Sequence, residues 1–217
     1  QQKMVMKREA IANKGIWVAK KRYMLNLFDE EGIRYEYPKL KVMGVEAVKS
    51  STPEICRTKI KEAIRVIMNE SEDDLIKYVA DFKETFKTLS PEEVAFPRSC
   101  NNLMKFADSS SIYKKGTPIH VKGALIYNYN LHKHKLEMKY PVIRDGDKIK
   151  FLMLKIPNNI KDTVLSFSSK IPYEFDVHKY VDYDLQFQKS FTDPLRFILD
   201  SIGWKLERQA TLEAFFG

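Results

Sequence analysis

The stretch GIWVAKKRYMLNLFDEEGIRYEYPKLKVMG, residues 15–44, decides the fold of the first part of the chain. It opens with β-branched and aromatic residues typical of strands and then reaches the acidic turn DEEG, residues 29–32, which ends in glycine. A second run of the same character follows that turn. Strand-forming residues on both sides of such a turn predict a long β-hairpin. We therefore expect the chain to begin with a small antiparallel sheet.

The segment AKKRY, residues 19–23, lies on the first predicted strand of this hairpin. Because side chains alternate across a strand, we expect Lys21 and Tyr23 on one face, with Lys20 and Arg22 on the other. Lysines held on a strand can donate to the phosphate oxygens of a nucleic-acid duplex. An edge strand that lysines protect against aggregation would explain the cluster equally well. The residues alone leave both explanations open.

After the hairpin, the apolar residues recur at helical spacing. Thr52, Pro53 and Glu54 combine a hydroxyl cap, a proline at the first helical position and an acid in the first turn. A second helix begins at SEDD, residues 71–74, which can form a capping box, and runs to about residue 89. One or two residues separate the helices, so we expect an antiparallel pair. The predicted buried positions are Ile60, Ala63, Ile64, Ile67, Met68, Leu75, Tyr78, Val79, Phe82 and Phe86.

The rest of the chain mixes helical and strand-like patterns. Residues 90–117 are expected to be irregular, with a short helical turn at NNLMKF, residues 101–106. The segment after Pro118 fits either a helix or a strand, and we favour the helix. We also expect short strands within 148–156 and 163–169, and helical segments interrupted near Pro194. The sequence therefore predicts an α+β fold, in which a basic β-hairpin precedes a mainly helical body with a small sheet.

Composition restricts the function classes. The chain has 217 residues, 44% of them apolar, and a net charge of +8. Its first 50 residues carry eleven lysines and arginines against six acids, so most of the excess charge lies there. No apolar run is long enough for a membrane span, and Cys56 and Cys100 are expected to be free thiols in a reducing compartment. The opening QQKMVMKREAI reads as the middle of a protein, so we expect the chain to be a piece of something larger.

Acidic pairs and histidines offer little catalytic chemistry. Asp145 and Asp147 fit a turn, and Asp182 and Asp184 fit the start of a helix. Either pair could belong to a nuclease metal site, but no second carboxylate cluster accompanies it. The motif HKH, residues 132–134, is expected to be a solvated basic segment. The sequence predicts no catalytic residue, no metal site and no cofactor in this chain.

The tail carries a different kind of pattern. In QATLEAFF, residues 209–216, Gln209 precedes three apolar residues that one helical turn would place on a single face. Such a turn can insert an apolar plug into a partner's pocket while Gln209 donates or accepts a hydrogen bond. The same pattern also fits a C-terminal helix packed on its own core. The apolar residues are Leu212, Phe215 and Phe216.

Taken together, the motifs resemble the end of the palm and the thumb of family B DNA polymerases of T-even-type bacteriophages. Matching stretches occur in the same order: MKREAI (6–11), AKKRY (19–23), PKLKVMGVEAVKSSTP (38–53), NNLMKFAD (101–108), PIHVKGALIYN (118–128), VDYDLQFQKSFTDPL (181–195) and the tail. The resemblance covers the whole chain. It departs from the family at Asp193, where the family has a lysine.

The resemblance implies a function and a division of the chain. Residues 1–44 would be the last palm strands, 45–206 the thumb, and 207–217 a sliding-clamp-binding peptide. The thumb would grip primer–template DNA, while an upstream polymerase chain would supply the palm, fingers and exonuclease. Mg²⁺ is expected only in the complete polymerase, so this chain alone is expected to be inactive. The setting would be the cytoplasm of the infected bacterial host, with no membrane partner.

The resemblance also implies site residues. Those expected to contact the duplex are Lys20, Lys21, Arg22, Tyr23, Lys49, Asn101, Asn102, Lys105 and Lys189, and the expected clamp anchor comprises Gln209, Leu212, Phe215 and Phe216. Two alternatives remain: a stand-alone, non-catalytic DNA-binding protein associated with a clamp, and a nuclease with a metal site at Asp182 and Asp184.

Overall fold

The structure is a computed structural model that describes residues 6–206. It is an α+β protein with small antiparallel sheets, as the sequence predicts. The described residues form two compact units. The first contains residues 6–49, 57–82 and 193–206, and the second contains residues 50–56 and 83–192.

The first unit opens with a three-stranded antiparallel sheet. Its strands are β1 (Ala10–Ala19), β2 (Arg22–Glu30) and β3 (Ile33–Met43), in the order β1-β2-β3. The connection between β2 and β3 is the predicted turn, in which the buried Asp29 accepts a hydrogen bond from the Gly32 amide at 2.9 Å. The predicted hairpin is therefore confirmed, but its first strand is in fact two strands.

Two helices accompany this sheet, α1 (Glu54–Asn69) and α2 (Glu72–Phe86). Their predicted buried positions are confirmed, apart from Tyr78, which is half-buried and donates hydrogen bonds to Glu62 and to the Lys59 carbonyl of α1. The predicted capping box is also present, because the amides of Ser71 and Asp74 each donate to the other's side chain at 3.3 Å. Periodicity and capping chemistry thus determine this part of the first unit.

The second unit is built on another antiparallel sheet. Its strands are β4 (Phe96–Ser99), β7 (Lys148–Met153) and β8 (Val164–Phe167), in the order β4-β7-β8, with the short pair β5 (Ala107–Asp108) and β6 (Ile112–Tyr113) apart from it. The two predicted strands are confirmed. The expectation that residues 90–117 are irregular is wrong for β4, where Pro97 is tolerated because β4 lies at an edge of the sheet.

Helices cover the second sheet. The helix α5 (Ile119–Lys133), predicted after Pro118, packs against β8, and Gly123 allows the close approach: a β-carbon there would lie 2.7 Å from the Ser166 amide nitrogen. Short helices α3 (Pro91–Val94) and α4 (Leu103–Phe106) lie earlier in the chain. The expected turn at residues 101–106 is therefore confirmed. The core of this unit includes the apolar residues of α5, β7 and β8.

The last helical region differs in detail from the prediction. It comprises α6 (Tyr183–Phe187), a π-helical turn over Gln188–Thr192 and α7 (Asp193–Leu199). The predicted interruption near Pro194 is thus a widened turn just before the proline. Proline lacks an amide donor and crowds the preceding turn of an α-helix, and a π-turn relieves both effects.

Candidate nucleic-acid interface

Lys20 and Lys21 form a two-residue turn between β1 and β2, where the sequence predicts a continuous strand. Ala19 pairs with Arg22 across the turn, so the predicted alternation of side chains through residues 19–23 is wrong. The physical reason is that β1 and β2 pair with each other, which requires the chain to reverse at this point. The two lysines consequently project from the tip of a hairpin and are exposed to solvent.

The backbone of this turn is held by a close packing contact. Lys21 has φ 63°, in the left-handed region that most residues avoid. Gly44, just after β3, has φ +70° and lies against the turn, since a β-carbon at Gly44 would clash with the Lys21 carbonyl oxygen. Only glycine fits this position. Gly44 therefore fixes the place of the Lys20–Lys21 turn.

Arg22 and Tyr23 extend the basic cluster into β2. The guanidinium carbon of Arg22 lies 5.2 Å from the centroid of the Phe197 ring of α7, a cation–π arrangement. Tyr23 pairs with Trp17 of β1 on one side and Met43 of β3 on the other. The side chains of Arg22 and Tyr23 are half-buried and are therefore positioned by packing.

Lys49 differs from the other candidates in this unit, because a nearby carboxylate partly neutralises its charge. Its ammonium lies 2.6 Å from the Glu46 carboxylate, three residues earlier. Within residues 6–206, by contrast, no carboxylate lies within 4.0 Å of the charged groups of Lys20, Lys21 or Arg22. Three cations of the first unit therefore keep their charge available to an external anion, whereas that of Lys49 is partly offset.

The candidates of the second unit lie at the start of α4, within α4 and in the π-helical turn after α6. Asn102 precedes α4 with φ 61°, a left-handed conformation that asparagine tolerates better than most residues, and both Asn101 and Asn102 are exposed. Lys105 is exposed on α4, with its ammonium 5.7 Å from the Phe106 ring centroid. Lys189 is exposed on the π-turn. No carboxylate of the described chain lies within 4.0 Å of either ammonium.

The acidic pairs have structural partners. Asp182 caps α6 by accepting a hydrogen bond from the Leu185 amide at 3.0 Å, and Asp184 lies 3.8 Å from the Lys83 ammonium. Asp145 and Asp147 accept backbone hydrogen bonds from Leu103 and Arg144. Residues 6–206 contain no group of three or more histidine, cysteine, aspartate or glutamate side chains placed to hold a metal ion. The described part of the chain thus offers no assembled site for the nuclease alternative.

The two cysteines are free and buried. Burial raises the pKa of each thiol to about 11, so both are inert at neutral pH. Among the helices of residues 6–206, none is long and apolar enough to cross a membrane. The expected clamp anchor, Gln209, Leu212, Phe215 and Phe216, lies outside the described residues.

Sequence reasoning missed a half-buried arginine, Arg98 on β4. Its guanidinium carbon lies 5.7 Å from the Phe151 ring centroid and 6.0 Å from that of Phe96. The only sequence signal is a single basic residue in the apolar run VAFPRS, residues 94–99. Its surroundings come from β7, about fifty residues later in the chain, so spacing could not have found it.

Comparison with known proteins finds two similar proteins, both DNA-directed DNA polymerases of bacteriophages. No protein-family model matches the chain. A DNA-directed DNA polymerase of Enterobacteria phage T4 is 34% identical over 99% of the chain, and one of Escherichia phage RB69 is 35% identical over 98%. The chain spans only 25% and 24% of the lengths of these two polymerases. Over nearly its whole length, the chain is therefore homologous to a portion of a T4-type DNA polymerase.

The left-handed backbone at Lys21 gives a prediction about stability. Lys21→Gly should raise the free energy of unfolding by about 0.5–1 kcal/mol, because a left-handed conformation costs a non-glycine residue roughly 1–2 kcal/mol and the freedom of glycine in the unfolded chain offsets about 0.5–1 kcal/mol of the gain. Lys20→Gly removes the same charge at a residue whose φ is not positive. This variant should therefore lower the free energy of unfolding by a similar amount. Urea unfolding of both variants measures the difference, and equal effects would contradict the role of the turn.

Proposed function

We propose that the chain is the C-terminal thumb part of a phage DNA-directed DNA polymerase, joined to the last strands of the palm. In this proposal, residues 1–44 form the palm end, residues 45–206 the thumb and residues 207–217 the clamp-binding peptide. The chain grips the primer–template duplex and tethers the enzyme to a sliding clamp. The observation that carries the proposal is the homology to T4-type polymerases over 98–99% of the chain.

The unpaired cations support a grip on duplex DNA. Lys20 and Lys21 project from one hairpin end, and Arg22 lies beside them over the Phe197 ring. None of the three has a carboxylate partner in the described chain, and Gly44 packs against the Lys21 carbonyl. A cation that meets a DNA phosphate releases condensed counterions, and this release supplies most of the sequence-independent affinity. Contacts of this kind position a duplex without reading its sequence. They suit a polymerase, which must hold any primer–template.

The chemistry of nucleotide transfer is assigned to another part of the enzyme. The Asp145–Asp147 and Asp182–Asp184 pairs serve a turn, a helix cap and an ion pair, so they are poor candidates for paired metal ligands. The catalytic carboxylates and their Mg²⁺ would come from a separate or missing upstream part, and this chain alone would be inactive. Its residues would bind and orient the duplex in the cytoplasm of the infected host.

A stand-alone, non-catalytic DNA-binding protein associated with a clamp is the alternative. It would use the same basic turn and the same tail, but it would need no catalytic partner. Physical association with an upstream polymerase part therefore separates the two functions.

Mixing the chain with a T4-type polymerase part that carries the palm carboxylates should restore primer extension, which neither component shows alone. Charge reversal of the turn by Lys20→Glu and Lys21→Glu should reduce extension at physiological salt, because like charges then meet at the duplex. The matched control is Lys133→Glu, at an exposed position in the last turn of α5. A primer-extension gel and analytical ultracentrifugation report activity and association. Absence of any complex would favour the stand-alone alternative.

Deletion of residues 211–217 should abolish binding to a T4-type sliding clamp, because it removes Leu212, Phe215 and Phe216 together. Duplex affinity and melting temperature should stay nearly unchanged. Surface plasmon resonance on immobilised clamp and a thermal melt test this directly. A large fall in melting temperature would instead place the two phenylalanines in the protein's own core.

A further inference from the structure

The outer edge of β1 offers backbone groups that no other strand uses. In the sheet of the first unit, β1 is the terminal strand and pairs with β2 on one side. Within residues 6–206, no backbone hydrogen bond joins Ala10–Ala19 to any segment other than β2. No residue of β1 is buried. An edge of this kind can pair with a strand from another chain.

The other edge of this sheet, strand β3, carries features that discourage a further strand. Pro38 has no amide donor, and the register of β3 against β2 shifts between Leu27 and Asp29, which marks a bulge. Four of the eleven residues of β3 are charged: Arg34, Glu36, Lys39 and Lys41. Proline, bulges and charged side chains all protect an edge against pairing. The β3 edge is therefore closed to a partner strand.

Strand β1 has much less of this protection. Lys14 is the single charged residue among its ten, and the strand contains no proline. The Lys14 ammonium donates a hydrogen bond to the Met68 carbonyl of α1, so its side chain is turned away from the edge. The pairing of β1 with β2 shifts at three places, but it is regular from Lys14 to Trp17. This regular stretch is open to a further strand.

An exposed indole ring lies at the end of the regular stretch. Trp17 is 68% exposed, although its ring packs over Gly15, where a β-carbon would lie 2.6 Å from the ring. The same β-carbon would lie 2.9 Å from Leu25, so the ring is held between a glycine and a leucine. Trp17 pairs with Tyr23 of β2, and a strand added beside β1 would likewise place a side chain next to Trp17. Tryptophan is among the residues that most often anchor protein interfaces.

A partner for this edge must supply both a strand and an apolar side chain. The chain spans only 25% and 24% of the lengths of the two phage polymerases, so the proposed function needs a much larger upstream part. We propose that β1 pairs with a strand of that upstream polymerase part, and that an apolar side chain of the added strand covers Trp17. The proposal rests on the proposed function and names the surface of the association. Backbone hydrogen bonds supply the affinity, and the Trp17 contact fixes the register.

The test uses the full chain and a T4-type polymerase part that lacks the region homologous to it. Hydrogen–deuterium exchange of the amides in residues 10–19 should slow at least about tenfold in the complex, because the added strand protects the edge. Exchange in residues 33–43 should stay nearly unchanged, because the β3 edge is closed.

Variants of two exposed aromatic residues test the same surface by isothermal titration calorimetry. Trp17→Ser should weaken the association about thirtyfold, as is typical of truncating a buried aromatic anchor. Trp17→Phe keeps an apolar ring and should recover most of the affinity. The matched control is Tyr37→Ser on β3, where the side chain is 77% exposed, and it should bind as wild type does.

The outcomes separate this surface from the proposed function. If the upstream part binds wild type and Trp17→Ser equally well, with unchanged exchange in residues 10–19, the β1 surface is wrong and the proposed function stands. If the upstream part does not bind wild type, both fail. Dimerisation of the chain alone, with residues 10–19 protected in the dimer, would assign the edge to a second copy and overturn the proposal. Melting temperatures show whether each variant is folded, and the exchange measurement on wild type decides the question without any variant.

Discussion

The proposed nucleic-acid contacts of each unit depend on one constraint: aromatic rings and backbone groups, rather than carboxylates, hold the basic side chains in place. Arg22 lies over Phe197, and Arg98 lies over Phe96 and Phe151. An ion pair would also fix a guanidinium, but it would offset the charge, as Glu46 does for Lys49. A ring holds the side chain and leaves its positive charge available to a phosphate. The described residues of each unit thus include an arginine held in this way.

Backbone packing has the same effect at the basic turn. Gly44 allows the segment after β3 to lie against the Lys21 carbonyl, and the turn in return accepts a left-handed lysine. Such strain persists only where the surrounding structure compensates for it. Here the pairing of β2 with both neighbouring strands provides the compensation. The lysines are consequently presented at a fixed place, although their own side chains make no ion pair among residues 6–206.

Much of the fold follows from local patterns in the sequence. The helices α1, α2 and α5 and the strands β7 and β8 lie where periodicity, capping residues and turn residues predict them. The division of the first predicted strand at Lys20–Lys21 could not be predicted, because the turn has no glycine, proline or asparagine and depends on strand pairing and on Gly44. Strand β4 was missed for a similar reason, since its proline is acceptable only at the sheet edge.

The candidate site shows the same limit. The basic cluster at residues 20–22 stands out in the sequence, whereas the ion pair between Glu46 and Lys49 is a finding of the structure. Arg98 is a single charge in an apolar run, and its meaning depends on Phe151, which reaches it only through strand pairing. Resemblance supplied the duplex-contacting candidates, whereas the structure supplies the partners that position them.

The salt dependence of duplex binding by the unmodified chain tests the central claim most directly. Isothermal measurements of the primer–template dissociation constant between low and physiological salt give the number of phosphates that the protein neutralises. If the unpaired cations grip the backbone at about five phosphates, the log–log slope of affinity against salt should be roughly −4 to −5. A slope near zero, or no binding at low salt, would contradict the account.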